Sequence, residues 1–100
     1  MILTGKAKEA FLKHSIGKEI ALFEAMLPIY QHALIIEWLD SVGIITEVIA
    51  TYYDGWTFLP VVYDNFANKH DIDFDYDSRQ QATEKAIERA VEIYLKSYEK

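Results

Sequence analysis

The residues best suited to chemistry are acids in the segment DFDYDSRQQATE, at positions 73–84. An EF-hand calcium loop places oxygen ligands at its first, third and fifth positions, glycine at its sixth and a bidentate glutamate at its twelfth. The segment has an acid at each of the four ligand positions: Asp73, Asp75, Asp77 and Glu84. This spacing indicates a calcium-dependent module as one interpretation of the region.

The same segment departs from a calcium loop where the loop must turn. Ser78 occupies the position that requires glycine, and Phe74 and Tyr76 alternate with the aspartates. Such alternation is typical of a strand with one buried face, and exposed acids discourage a strand edge from pairing with other chains. A strand with one solvated face is therefore the simpler interpretation, and calcium is kept as an alternative.

The histidines form no recognised metal or acid–base motif. His14, His32 and His70 lie in neither the H-x-x-x-H nor the H-E-x-x-H spacing. The chain also has no cysteine, no phosphate-binding glycine loop and no G-x-S-x-G elbow. We therefore expect no cofactor and no enzymatic activity. The alternative is acid–base catalysis by a carboxylate such as Glu37 or Asp40, which requires burial to raise its pKa.

Aromatic side chains cluster around the dipeptide Asp54-Gly55: Tyr52, Tyr53, Trp56, Phe58 and Tyr63. A stacking platform for nucleic-acid bases needs basic neighbours, whereas these rings have acidic ones. Packing across strands and in the core is their simplest role, and a partly exposed set would form a protein-binding patch. The residues we predict at such an interface are Trp38, Tyr53 and Trp56.

Charge is unevenly distributed along the 100 residues, whose formal net charge is −6. Residues 1–18 carry a net charge of +3, residues 19–77 a net charge of −10 and residues 78–100 a net charge of +1. Direct binding to nucleic acid needs a basic stripe and is disfavoured, whereas a basic protein would be attracted. An inhibitor or mimic that occupies a basic, nucleic-acid-binding protein is therefore a second hypothesis, beside the simpler one of solubility.

Length and composition predict a single domain that covers residues 1–100. Half of the residues are apolar, 51%, which is typical of a globular fold. No apolar run approaches the ~20 residues of a membrane span, and lysines interrupt the first residues where a signal peptide would be apolar. We therefore expect a cytoplasmic protein that does not contact a membrane.

Apolar periodicity predicts helices at residues 5–14, 18–26, 28–42 and 79–98. Local signals mark their ends: Thr4 as a cap, Pro28 in a first turn, Gly43 after a last turn, and Ser78 with Gln81 as a capping box.

The helix over 28–42 has an apolar stripe wider than packing on one side requires. The stripe contains Leu34, Ile35, Trp38, Leu39 and Val42, widened by Ile29 and Ile36. This width favours a central core helix, and the alternative is a second apolar face that meets another subunit.

The segment between the last two helices predicts a small antiparallel sheet. A two-residue Asp-Gly loop should join strands over 44–53 and 56–63, and a third strand is available at 72–76. Pro60 lacks an N–H group, so we expect either a meander with a bulge near Pro60 or a third strand beside the first. With the last helix packed on this sheet, the fold class is α+β.

Three stretches resemble small proteins of phages and prophages from gut-type bacteria: LTGKAKEAF, WLDSVGI and ATEKAIERAVEIY. That group has no assigned activity, so the resemblance implies a mobile-element origin and an intracellular setting, and no functional residue. Together with the missing catalytic motifs, it leads to the hypothesis of a non-catalytic interaction or structural protein. Its expected partner is another protein or a second copy of the chain.

Overall fold

The computed structural model of the chain describes residues 3–14, 26–72 and 75–98. The elements are helix α1 (Gly5–His14), helix α2 (Pro28–Ser41), strands β1 (Ile45–Tyr52), β2 (Trp56–Tyr63) and β3 (Lys69–Asp71), and helix α3 (Arg79–Tyr98). The helices predicted at 5–14 and 79–98 are confirmed, and the one predicted at 28–42 ends a single residue earlier. The helix predicted at 18–26 lies, except for Met26, outside the described residues.

Helix α2 ends in a Schellman motif centred on Gly43. The N–H of Ile44 donates to the carbonyl of Leu39 over 3.0 Å, and the N–H of Gly43 donates to the carbonyl of Asp40 over 3.0 Å. Gly43 has a φ of +83°, which residues with a side chain rarely adopt. The predicted role of Gly43 is therefore confirmed, and the motif directs Ile44 into the core at the start of β1.

Helix α3 begins at the predicted cap. The Oγ atom of Ser78 accepts a hydrogen bond from the backbone N–H of Gln81 over 3.1 Å. This bond satisfies one of the N–H groups that the first turn of a helix leaves without a partner inside the helix. The residues that α3 buries are mostly small, which allows a close approach to its neighbours: Ala82, Ala86, Ile87, Ala90 and Ile93.

The three strands form an antiparallel meander with β2 in the centre, and α3 packs on β1 and β2. This confirms the predicted α+β fold. Ile44 and Val62 belong to the helical core, so even-numbered residues of β1 and β2 face the helices, because side chains alternate along a strand. Val61 on the opposite face is also buried, so the middle of β2 is covered on both sides.

The third strand is interrupted opposite Pro60. Val61 pairs with Asp71, whereas Phe58 pairs with Tyr76, so two positions of β2 but four positions of the following segment separate the two pairings. The N–H and carbonyl of Phe58 both bond to Tyr76 over 2.8 Å. Two residues further on, Pro60 faces the same neighbour and has no N–H to donate, which explains the break.

This arrangement confirms the meander, with pairing interrupted near Pro60, and corrects the position of the third strand, of whose predicted range residues 73 and 74 lie outside the described residues. Strand β3 covers Lys69–Asp71 rather than 72–76, and beyond it the described residues make one further bridge, at Tyr76. The alternation of Phe74 and Tyr76 with aspartates suggested a regular strand, but pairing opposite a proline cannot continue in register.

The hairpin turn is one residue longer than predicted. Tyr52 pairs with Trp56, so the loop contains three residues, 53–55, instead of the Asp-Gly pair alone. Asp54 and Gly55 have φ values of 56° and 128°, so both residues have the positive φ that the Asp-Gly signal predicts.

Candidate functional site

Three exposed aromatic side chains lie together at the end of the β1–β2 hairpin and are here called the aromatic tip: Tyr52, Tyr53 and Trp56. Their exposed fractions are 68%, 91% and 62%. Tyr52 and Trp56 are paired across the strands, so their rings share one face and meet edge to face, with centroids 5.3 Å apart. Tyr53 begins the turn beside Asp54. The tip thus presents apolar surface that its own fold leaves uncovered.

Polar contacts brace the hairpin directly below the aromatic tip. The hydroxyls of Thr51 and Thr57 hydrogen-bond across the strands over 2.9 Å, and Thr57 also donates to Asp75 over 3.5 Å. These contacts tie the hairpin to the segment that precedes α3. The two strands that carry the tip are therefore linked to each other and to this segment.

Trp38, the third residue predicted at an interface, lies in the core. Its side chain is 2% exposed and packs edge to face between Phe11 and Tyr94, with centroid distances of 6.0 and 4.9 Å. At this position, the wide apolar stripe of α2 packs into the core, as the core interpretation predicts. A partner could contact Trp38 only if α2 left the core.

The four predicted calcium ligands do not form a described site. Asp75 and Asp77 are exposed, Glu84 lies one turn into α3, and Asp73 is outside the described residues. Within the described ranges, no three histidine, aspartate or glutamate side chains are grouped so that they could hold a metal ion. The Glu84 carboxylate is instead directed at a histidine.

That histidine is His32, on the buried side of α2. Its Nε2 atom lies 3.7 Å from Oε1 of Glu84, and the His32 side chain is 8% exposed. Burial lowers the pKa of His32, and the nearby Glu84 carboxylate partly opposes that effect. No sequence pattern indicated this pair, because 52 positions separate the residues and only the packing of α3 against α2 brings them together.

A mostly apolar groove of about 250 Å³ lies above this pair, between α2 and the first turn of α3. Its lining residues are Ile29, His32, Ala33, Ile36, Arg79, Gln80 and Thr83. The guanidinium of Arg79 also lies 5.0 Å from the ring centre of Phe58, a cation–π contact that joins the groove to the sheet. The groove adds a second apolar surface, which includes the exposed Ile29.

The carboxylates considered for acid–base chemistry are both exposed on α2. Burial, and then the neighbouring charge of Glu37, raises the pKa of Asp40. Since both side chains face solvent, they do not exclude water from a reacting group as an enzyme site does.

A second perturbed carboxylate has a structural role in the turn between β2 and β3. Asp64 accepts hydrogen bonds from the N–H groups of Phe66 and Asn68, over 2.9 and 3.0 Å, and lies 3.0 Å from Nε2 of His70. The contact with His70, followed by that with the Asn68 N–H, lowers the pKa of Asp64 to about 2. Asp64 therefore holds the turn together as a carboxylate.

The outer edge of β1 is the remaining feature with binding capacity. No strand among residues 3–14, 26–72 and 75–98 pairs with that edge. The side chains of Ala50, Thr51 and Tyr52 in the last part of this strand are exposed, and the aromatic tip begins there.

No family model, curated protein or solved structure matches this chain. None of the described helices has the length and apolar character needed to cross a membrane.

Proposed function

We propose that this chain is a non-catalytic protein-interaction protein that associates with itself and presents the aromatic tip to a protein partner. The observation that carries the proposal is the exposure of Tyr52, Tyr53 and Trp56 on one braced hairpin. Clustered exposed aromatic rings are typical of protein interfaces, where tyrosine and tryptophan are enriched among the residues that dominate the binding energy. The proposed setting is the cytoplasm, and the proposed origin is a mobile element.

The chemistry around the tip supports a protein as the partner. Asp54 lies within the turn, and Asp75 hydrogen-bonds to Thr57 just below it. Negative charge at these positions repels phosphates, so the tip is unsuited to stacking on nucleic-acid bases.

Site-specific photo-crosslinking in the producing cells tests the proposal. A photoreactive phenylalanine analogue replaces Tyr53 in one strain and Phe66 in the control strain. Phe66 is 79% exposed and lies in the other hairpin turn, so it matches Tyr53 in type and exposure. We expect an adduct from position 53 whose mass differs from that of two crosslinked copies of the chain, and which excess wild-type chain suppresses and the Trp56→Ala chain does not. No adduct from position 53, or the same adducts from both positions, would contradict the proposal.

A second candidate function is an acidic inhibitor of a basic, nucleic-acid-binding protein. It is favoured by the net charge of −10 over residues 19–77, which includes the turn residue Asp54. Attraction between opposite charges weakens with salt, because the screening length falls from about 10 Å at 0.1 M to about 3 Å at 1 M. If this function is correct, the adduct at position 53 should contain a basic protein and disappear in high salt. An adduct that is insensitive to salt would exclude it.

A further inference from the structure

We propose that two copies of the chain pair antiparallel through the outer edges of their β1 strands, which gives one continuous six-stranded sheet. The inference rests on the self-association in the proposed function and names the surface that carries it. Its first support is the contrast between the two edges of the sheet.

Among the described residues, the β3 edge is protected and the β1 edge is not. On the β3 side, the regular ladder has three residues, is interrupted opposite Pro60 and is followed by aspartates. These are the devices by which proteins keep strand edges from pairing. By contrast, β1 has eight residues, ITEVIATY, with no proline, no lysine and Glu47 as its single charge. A long strand without such protection is suited to pairing with another strand.

Hydrogen-bond alternation shows which groups of β1 point outward. Phe58 exchanges both of its backbone bonds with Tyr76, so even-numbered residues of β2 turn toward the third strand and odd-numbered ones toward β1. The bond from the N–H of Tyr53 to the carbonyl of Gly55 follows the same rule, since both numbers are odd. On β1 the even-numbered residues therefore direct their N–H and carbonyl groups away from β2: Thr46, Val48, Ala50 and Tyr52.

In one register of the two β1 strands, the side chains along the edge of one copy complement those along the same edge of the other. With the two-fold axis at Ile49, Ile45 of each copy lies opposite Tyr53 of the other, and Glu47 lies opposite Thr51. Ile45 and Tyr53 are exposed at opposite ends of the strand, at 44% and 91%, and this register brings them together. The two Glu47 carboxylates then stand four residues apart along the strand direction, about 13 Å, where salt largely screens their repulsion.

Because Glu47 of one copy lies opposite Thr51 of the other, the sign of a charge placed at position 51 should decide whether the dimer is weakened. The full-length chain is used for this test. Thr51→Glu places two carboxylates opposite each other, whereas Thr51→Lys places a lysine opposite a glutamate. Both substitutions remove the same hydrogen bond to Thr57, but the Asp75 carboxylate bonded to Thr57 repels a glutamate at position 51 and attracts a lysine, so a double variant is the deciding comparison. Combining Thr51→Glu with Glu47→Lys restores an opposite-charge pair.

Sedimentation velocity from about 1 to 500 µM covers the affinity expected for an interface smaller than about 1,200 Å². We expect the wild-type chain to approach twice its 11.6 kDa mass at high concentration. Thr51→Glu should raise the dissociation constant about tenfold, Thr51→Lys should not raise it, and the double variant should restore it. Ala50→Pro removes an outward N–H without breaking a hydrogen bond to β2; it should be monomeric, and an unchanged circular dichroism spectrum checks that the fixed φ of proline leaves the fold intact.

Two results would overturn the inference, and they differ in what they leave standing. A wild-type dimer that responds equally to Thr51→Glu and Thr51→Lys, and persists in Ala50→Pro, would place the interface elsewhere and leave self-association intact. A wild-type chain that stays monomeric throughout would overturn both the β1 interface and self-association. Binding of a partner to the aromatic tip would then be judged by the crosslink at position 53 alone.

Discussion

The indole of Trp38 on α2 packs edge to face against the phenol ring of Tyr94 on α3, with ring centroids 4.9 Å apart and planes at 75°. Phe11 from α1 contacts the same indole at 6.0 Å and 69°. Aromatic pairs in this geometry stabilise by about 0.5–1.5 kcal/mol beyond the area they bury. Trp38 therefore joins three helices, although its sequence position also allowed a role in an interface.

Replacing Trp38 with alanine should lower the free energy of unfolding by about 3–5 kcal/mol, because it leaves a cavity among α1, α2 and α3. Trp56→Ala is the matched control: the same residue type is 62% exposed there, and the loss should stay below about 1 kcal/mol. Denaturant unfolding followed by circular dichroism measures both. Equal losses in the two variants would contradict the assignment of Trp38 to the core.

Replacing Gly43 with alanine should destabilise the chain by about 1–2 kcal/mol, since the residue after α2 has a left-handed conformation. A Cβ atom there would also lie 3.2 Å from the Cβ atom of Asn65, which must shift. Gly43→Asn should lose less than Gly43→Ala despite its larger side chain, because asparagine tolerates positive φ better. Thermal melts compare them, and the reverse order would show that crowding by Asn65 outweighs backbone strain.

The stability of the fold should decrease as the pH falls from about 7 to 5, in part because of His32. Its pKa is lowered in the folded state by burial, so below about pH 6.5 the unfolded chain binds a proton that the folded chain resists. His32→Gln should therefore show a weaker decrease than the wild type in denaturant titrations at several pH values. Glu84→Gln removes the opposing charge and should lower the pKa of His32 further in an NMR titration. An unchanged pKa would show that Glu84 does not act on His32.

Asp64 should make a second contribution to the pH dependence of stability, at a more acidic pH than His32. Its folded pKa of about 2 lies below its ordinary value of 3.8, so its stabilisation is complete above about pH 4 and is lost as the pH falls toward 2. The wild type should thus be more stable than Asp64→Asn at pH 6, and this difference should shrink on acidification. If the difference in stability between the two chains stays constant down to pH 2, the charge of Asp64 is not what stabilises the turn, and the shape of its side chain is.

Local chemistry made several elements predictable from the sequence. The helix starting after Ser78 and the helix ending before Gly43 are specified by bonds and backbone angles within a few residues, and both predictions are confirmed. Positive φ at Asp54 and Gly55 follows from the same kind of signal. Predicting the α+β class required only these element boundaries and the two spacings of apolar residues, about 3.6 residues in helices and two in strands.

Two predictions were wrong because a neighbouring strand, distant in sequence, determines the local structure. The third strand was predicted from alternation within 72–76, but pairing is set by β2, where Pro60 offers no N–H to it. The hairpin loop was predicted from Asp54 and Gly55 alone, but the register of the full ladder puts Tyr52 opposite Trp56. In both cases the hydrogen bonds of the neighbouring strand determined the register.

The sequence by itself determined that this chain forms one α+β sheet-and-helix unit with an acidic middle segment and an aromatic-rich hairpin. Only the tertiary structure decided that Trp38 is buried and Trp56 exposed, that His32 meets Glu84, and that β1 has an edge without a described partner. The physical reason is how far apart along the chain the interacting residues lie. Caps and turns depend on atoms a few residues away, whereas burial, charge pairing and open edges depend on how distant segments pack.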